Sequence, residues 1–157
     1  SKITMAPGIY IMKDGPLRIG AGSSLQGSEV LIALVGENSI LDVSANSSIR
    51  LTSPKSGVYA NIQFMSDRVA DGKFKGEEWT TISSSEFEID GVMYLPEHDI
   101  WFKGGSQINA NSPTLAFVAD QLWVQDSSEI RVTNNNDRNL EVAAAHSRYE
   151  YGARLVD

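Results

Sequence analysis

The residues that could do chemistry in this sequence are few and widely spaced. The two histidines, His98 and His146, have no other His, Cys or Asp at a spacing typical of metal ligands. His98 follows Pro96 and Glu97 at a predicted turn, where an exposed histidine is the ordinary case. Three consecutive serines at 83–85 lack the surroundings of a catalytic nucleophile, and the glycine-rich turns do not match a phosphate-binding loop. The sequence therefore predicts no catalytic residue, no metal ligand and no cofactor.

Two tryptophans are better candidates for a binding surface. Trp101 and Trp123 hold the same place in two similar phrases, each between two apolar neighbours. In a β-strand, this alternation directs both indole rings to the outer side. If the two strands are neighbours, the rings form a strip that a sugar ring or a partner protein can contact. The interpretation that we favour is a covered pair, packed under an inserted loop or under the C-terminal segment with Tyr149 and Tyr151, because large exposed apolar patches are uncommon on monomers.

The segments that hold these tryptophans belong to a repeating pattern. Short apolar phrases at 17–19, 41–43, 100–102 and 122–124 are each followed by a small or polar turn and one further apolar residue, and a less regular phrase lies at 86–89. A period near 22 that survives without sequence identity indicates one solenoid coil per repeat. The closing apolar residues are separated by 24, 38, 21 and 22 positions, and they are Leu25, Ile49, Phe87, Ile108 and Ile130.

The repeats are typical of β-strands rather than helices. Apolar and polar residues alternate with a period of two at 17–19 and at 86–89. The turns contain Gly, Asn and Asp, which tolerate the left-handed backbone that a coil needs at its corners. Three short strands per repeat predict an all-β fold, a single-stranded right-handed parallel β-helix of about six coils. An antiparallel β-sandwich is the alternative, but it gives no reason for the phrase to recur in register.

The chain length predicts one domain, residues 1–157. The 38-residue interval between Ile49 and Phe87 indicates one coil plus an insertion. The charged residues 66–80 are predicted to be that inserted loop, projecting from one edge. Residues 138–157 are predicted to be a C-terminal cap or a final coil, because solenoids need atypical ends. The side chains expected to face the core in stacked rows are Leu17, Ile19, Leu25, Ile32, Leu34, Val43, Ile49, Phe102, Ile108, Val124 and Ile130.

Composition narrows the possible partners. The net charge of −7 argues against nucleic acid and against an anionic membrane surface. The sequence has no cysteine, so neither a disulfide nor a Cys-ligated metal supports the fold. No apolar run reaches the length of a membrane span. Because a strand follows Ser1 almost at once, we expect an excised domain whose export signal or anchor lies upstream.

The same pattern bears on whether the protein is an enzyme. Parallel β-helices include polysaccharide lyases and hydrolases, whose sites need clustered carboxylates on one face of consecutive coils. One carboxylate among five rungs does not make a catalytic pair, so a carbohydrate-binding or carbohydrate-active protein is the alternative function rather than the first one. The exposed position of the successive phrases is expected to hold Arg18, Asp42, Thr80, Trp101 and Trp123.

Several phrases, taken in order, resemble a known family. Residues 6–10 (Ala-Pro-Gly-Ile-Tyr), 15–19, 53–64 and 90–96 are similar to phrases in the β-helical region of TadG-like proteins of tight-adherence (Flp-type) pilus assembly, and the ending 154–157 looks like a terminus of that group. Two departures are that relatives often contain cysteines, which this chain lacks, and that Asn61 stands where glycine is common.

The resemblance implies a non-enzymatic structural or interaction module of a bacterial pilus-assembly or adhesion protein. Such a module is extracytoplasmic, in the periplasm, the cell envelope or on the cell surface, and it reaches the membrane only through an anchor upstream. Its implied partners are other pilus-assembly or cell-envelope proteins, with a glycan as a further possibility. The resemblance supplies no catalytic or binding residue for this chain.

Overall fold

The computed structural model describes residues 1–70, 72–74, 78–83, 86–110 and 115–132, which form strands joined by turns. Within these ranges no helix has the length and hydrophobicity needed to cross a membrane. The strands are β1 (Lys2–Met5), β2 (Gly8–Lys13), β3 (Leu17–Ile19), β4 (Ser24–Gly27), β5 (Val30–Val35), β6 (Leu41–Val43), β7 (Ser48–Leu51), β8 (Ile62–Ser66), β9 (Lys73–Phe74), β10 (Glu78–Ile82), β11 (Glu86–Ile89), β12 (Val92–Phe102), β13 (Gln107–Ala110), β14 (Ala116–Val124) and β15 (Glu129–Val132).

The strands stack into three parallel ladders around one core, and we call these ladders the first, second and third faces. The first face contains β2, β5, β8 and the first halves of β12 and β14. The second face contains β3, β6, β10 and the second halves of β12 and β14, and the third contains β1, β4, β7, β11, β13 and β15. The chain is therefore an all-β parallel β-helix of about five turns, which confirms the predicted fold class. The short strand β9 is the exception, since it pairs antiparallel with β10.

The apolar residues that close the repeats form one continuous row in the core. Leu25, Ile49, Phe87, Ile108 and Ile130 are register partners in consecutive strands of the third face. The first four are buried, and Ile130 packs partly buried against them. Each side chain in the row therefore lies on its equivalent one coil away, about 4.8 Å along the axis. The period read from the sequence is thus a real structural repeat.

A second row shows where the core prediction was right and where it was wrong. Ile19, Val43, Ile82 and Phe102 are register partners on the second face and are buried. Val124 continues the row beside Phe102 but is 47% exposed, so its predicted burial was wrong. The reason is that β14 is the last strand of this face among the described residues. The other predicted core residues, Leu17, Ile32 and Leu34, are buried or pack against the core.

Four of the corners between the second and third faces use a left-handed backbone, as the turn composition predicted. The φ angles are 69° at Gly22, 57° at Asn46, 68° at Gly104 and 53° at Asp126. The amide of Gly22 donates a hydrogen bond to the carbonyl of Asn46, at 3.1 Å, so one corner is tied to the next. Gly, Asn and Asp are the residues that adopt this conformation at least cost.

The 38-residue interval is divided between two corners, which differs from the single projecting loop predicted at 66–80. Residues 52–61 join β7 to β8, whereas the equivalent corners before β2, β5 and β12 have two residues each. Residues 67–77 join β8 to β10 and include β9. This second segment is packed down in part, because Ala70 is fully buried and residues 78–80 already belong to a strand of the second face.

The predicted C-terminal cap or final coil at 138–157 lies outside the described residues. The same holds for His146, for Tyr149 and Tyr151 as packing partners of the tryptophans, and for the terminal phrase at 154–157.

Candidate functional site

The outer side of the second face presents one ladder of side chains from five consecutive strands. Its third rung is Thr81 and not Thr80, which was predicted there. Thr80 is fully buried, because the alternation along β10 places Thr80 and Ile82 inside. The rungs, in register order, are Arg18, Asp42, Thr81, Trp101 and Trp123.

Trp101 and Trp123, the two tryptophans singled out from the sequence, are register partners and stack on each other. Their ring centroids are 4.9 Å apart and their planes differ by 12°. The separation matches one coil spacing, so the rings continue the backbone ladder. Trp123 is 40% exposed, whereas Trp101 is half-buried and its Nε1 has no hydrogen-bond acceptor among the described residues. One indole of the pair is therefore accessible and the other supports it.

The sequence reasoning missed a third tryptophan on the same surface. Trp79 lies on β10, two residues before Thr81, and points to the outer side because Thr80 between them is buried. Its signal was the alternation in Trp79-Thr80-Thr81-Ile82, which was overlooked because the segment was assigned to a loop. All three tryptophans of the chain therefore belong to the second face.

A groove of about 660 Å³ runs along this face beside the tryptophans. The groove extends over five coils, from β3 to β14, which is a length of about 19 Å at the usual coil spacing. Short side chains, including those of Ser44, Thr81 and Ser83, line it, and the indole of Trp79 contributes larger apolar surface. Within the groove the rungs of the first three coils are Arg18, Asp42 and Thr81, whereas the fourth and fifth coils place tryptophans at the same rung.

The charges along the groove are balanced. Arg18 and Asp42 face each other from neighbouring coils, with Nε and Oδ2 3.5 Å apart. Lys103 and Asp126 follow β12 and β14 and also line the groove. The groove therefore contains two cations and two carboxylates, although the whole chain has a net charge of −7.

The third face has a different surface, an ion-paired polar ladder. Arg50 on β7 lies 2.7 Å from a carboxylate oxygen of Glu86 and 3.7 Å from one of Glu88, both on β11. The hydroxyl of Ser48 donates a further hydrogen bond to Glu86, at 3.2 Å. The hydrogen bond from Arg50 is the main cause that lowers the pKa of Glu86 below its ordinary value. These contacts join neighbouring coils, which is a structural role.

His98 is fully buried, so the predicted exposed turn histidine was wrong. Its Nδ1 lies 2.8 Å from the hydroxyl of Thr80, and that hydroxyl also accepts a long hydrogen bond from the amide of Leu41. Gly72 packs directly on His98: a Cβ at position 72 would lie 2.7 Å from the Cα of His98. His98 thus joins the corner of β12 to the segment that follows β8.

No family model, no curated protein and no solved structure matches this chain. The site must therefore be interpreted from its own chemistry. It combines hydroxyl groups, balanced charges and the indole of Trp79 in an elongated groove, with the exposed indole of Trp123 beside it. Such a surface is suited to binding an extended partner, because contacts with it come from five separate coils.

Proposed function

We propose that this chain is a non-enzymatic interaction module whose contact surface is the groove and tryptophan ladder of the second face. The observation that supports this most is the placement of all three tryptophans on one face, beside a groove with paired charges. Tryptophan is the residue most enriched where proteins bind partners, because one end of its side chain is apolar and the other can donate a hydrogen bond.

The spacing of the carboxylates supports binding over catalysis. The two that line the groove, Asp42 and Asp126, belong to coils three steps apart, which is an axial separation of about 14 Å. Paired carboxylates of glycoside hydrolases are about 5 to 9.5 Å apart. Asp42 is also ion-paired with Arg18 of the neighbouring coil, which holds its side chain in place. A turnover assay on polysaccharides tests this point, since specific cleavage would support the alternative, a carbohydrate-active enzyme.

The proposed setting is a bacterial pilus-assembly or adhesion protein, outside the cytoplasm and anchored through an upstream segment. The ordered phrases that resemble the TadG-like group support it. Each internal phrase includes a corner or a strand start of the β-helix: 6–10 leads into β2, 15–19 into β3, 53–64 into β8 and 90–96 into β12. Asn61, at the position where glycine is common in the group, has a φ of 64°, which is a backbone that favours glycine.

Two measurements on the intact source protein test this proposal. Cell fractionation is expected to place it outside the cytoplasm, and a purely cytoplasmic protein would contradict the setting. A photoreactive amino acid at position 123 is expected to cross-link a pilus-assembly component, a cell-envelope protein or a surface glycan. The matched control is position 107, which is exposed on the third face. Equal cross-linking from both positions would contradict the assignment of the contact surface.

A further inference from the structure

We propose that the groove on the second face binds a neutral glycan, a chain of uncharged, hydroxyl-rich sugar rings. This inference rests on the proposed function and names the partner of the same surface. An acidic polysaccharide or a protein as the principal ligand of the groove would contradict it.

The polar groups of the groove match the hydrogen-bonding capacity of a sugar. Ser44, Thr81 and Ser83 provide hydroxyls, and a hydroxyl both donates and accepts. The Arg18–Asp42 pair adds donors and acceptors that are held close together. Sugar hydroxyls also donate and accept, so they can satisfy both kinds of group without a fixed charge. A volume of about 660 Å³ lies within the range of small-molecule sites.

The charge distribution favours a neutral ligand over an acidic one. Each cation of the groove has a carboxylate on the same surface, Arg18 with Asp42 and Lys103 with Asp126, so no excess positive charge is left to attract an anion. The rest of the chain is acidic, with a net charge of −7, and repels a polyanion as it approaches. An uncharged chain meets neither obstacle.

The tryptophans supply the apolar part of such a site. Trp79 lines the groove, and Trp101 is the rung next to Thr81 at its C-terminal side. Trp123, stacked on Trp101, extends the aromatic surface by one more coil. A sugar ring has apolar C–H surface beside its hydroxyls, and indole rings next to Ser and Thr hydroxyls complement both parts.

The tryptophan content makes the test direct, because selectively excited tryptophan fluorescence reports on this face alone. The probes are uncharged hexamers of glucose, mannose, galactose and N-acetylglucosamine, with hexagalacturonate as the acidic comparator. At least one neutral hexamer is expected to give a saturable fluorescence change, confirmed by calorimetry. Hexagalacturonate is expected to bind at least about tenfold more weakly. No saturation with any neutral hexamer at millimolar concentration, or equal binding of the acidic one, would overturn the inference.

Thr81→Trp is the decisive variant, because it fills the groove without removing any native contact on the tryptophans. A ring at position 81 continues the stack of Trp101 and Trp123 by one rung. We expect it to melt no lower than the parent and to lose neutral-hexamer binding by at least about tenfold. The control, Gln107→Ala on the exposed third face, is expected to bind like the parent. Undiminished binding by a folded Thr81→Trp protein would place the glycan elsewhere and refute the site.

The cross-linking and glycan-binding results together distinguish a failure of this inference from a failure of the proposed function. If position 123 cross-links an envelope protein and no neutral hexamer binds, the glycan inference fails and the interaction module stands. If no partner of either kind depends on the second face, both fail.

Discussion

Gly72→Ala tests how the segment after β8 is held against the β-helix. Gly72 has a φ of 71°, and a Cβ there would lie 2.7 to 2.9 Å from the Cα, Cβ and Cγ of His98. The Cα is backbone, so the segment itself must move by roughly 0.7 Å before the new methyl reaches an ordinary contact. The substitution therefore adds both backbone strain and a clash.

The expected loss of stability follows from these two contributions. A left-handed backbone costs a non-glycine residue about 1–2 kcal/mol, and forcing an extra methyl into a packed site costs about 1–3 kcal/mol more. The matched control is Gly22→Ala, where φ is 69° but no atom lies within 4 Å of the added Cβ. That control has the backbone cost alone. Gly72→Ala should therefore unfold with a free energy about 1–3 kcal/mol lower than that of Gly22→Ala.

Urea and thermal unfolding, followed by circular dichroism, measure this difference. For a protein of this size, 1 kcal/mol lowers Tm by about 2–4 °C, so Gly72→Ala should melt about 2–12 °C below Gly22→Ala. Equal melting temperatures would refute the packing of Gly72 on His98. They would also mean that the corner containing residues 67–77 is not attached to β12 as described.

Three further predictions address the core, a pH dependence and a corner. Ile108→Asp puts an unpaired carboxylate at a fully buried position of the core row and should lower the free energy of unfolding in urea by several kcal/mol. Gln107→Asp changes the exposed neighbouring residue and should not lower it. Equal urea midpoints for the two variants would show the register to be wrong. The hydrogen bond from Arg50 lowers the pKa of Glu86 in the folded protein. The pair therefore stabilises the fold fully above the ordinary glutamate pKa of about 4.5, and this stabilisation is lost as the pH falls through the lower pKa of the folded state. Arg50→Gln should accordingly be more destabilising at pH 7 than at pH 3, and a pH-independent difference in unfolding free energy would contradict this. At Asn61, where φ is 64°, replacement by Gly should leave Tm unchanged or raise it slightly, while replacement by Ala should lower the free energy of unfolding by about 1 kcal/mol. The opposite order would disprove the left-handed backbone there.

The stacking of the coils was predictable because it depends on local patterns repeated in order. The row from Leu25 to Ile130 was found from its spacing alone, since an inward position must recur once per coil. The pairing of Trp101 with Trp123 followed for the same reason. Outside the 38-residue interval between Ile49 and Phe87, neighbouring coils differ little in length, so counting along the chain keeps the register.

The register was lost where the coil length changes. In the long interval the extra residues are shared between 52–61 and 67–77, and the sequence does not reveal that division. The consequences were a one-residue error at Thr80 and the omission of Trp79. His98 was misplaced for a related reason, because its burial depends on Gly72 and Thr80, which come from a different coil. Contacts between an insertion and a distant corner leave no periodic signal.

Each coil is closed by its own corners, so duplication of one coil would change the length of the groove. Every rung of the second face comes from a separate coil, and each coil contacts its neighbours through the same rows. One additional repeat of about 22 residues, inserted between β10 and β12, would lengthen the groove by a single coil spacing of about 4.8 Å. Descendants of such a protein could therefore change the size of the partner that they accommodate in fixed increments, by gain or loss of a whole repeat, while the contacts between all other neighbouring coils are kept.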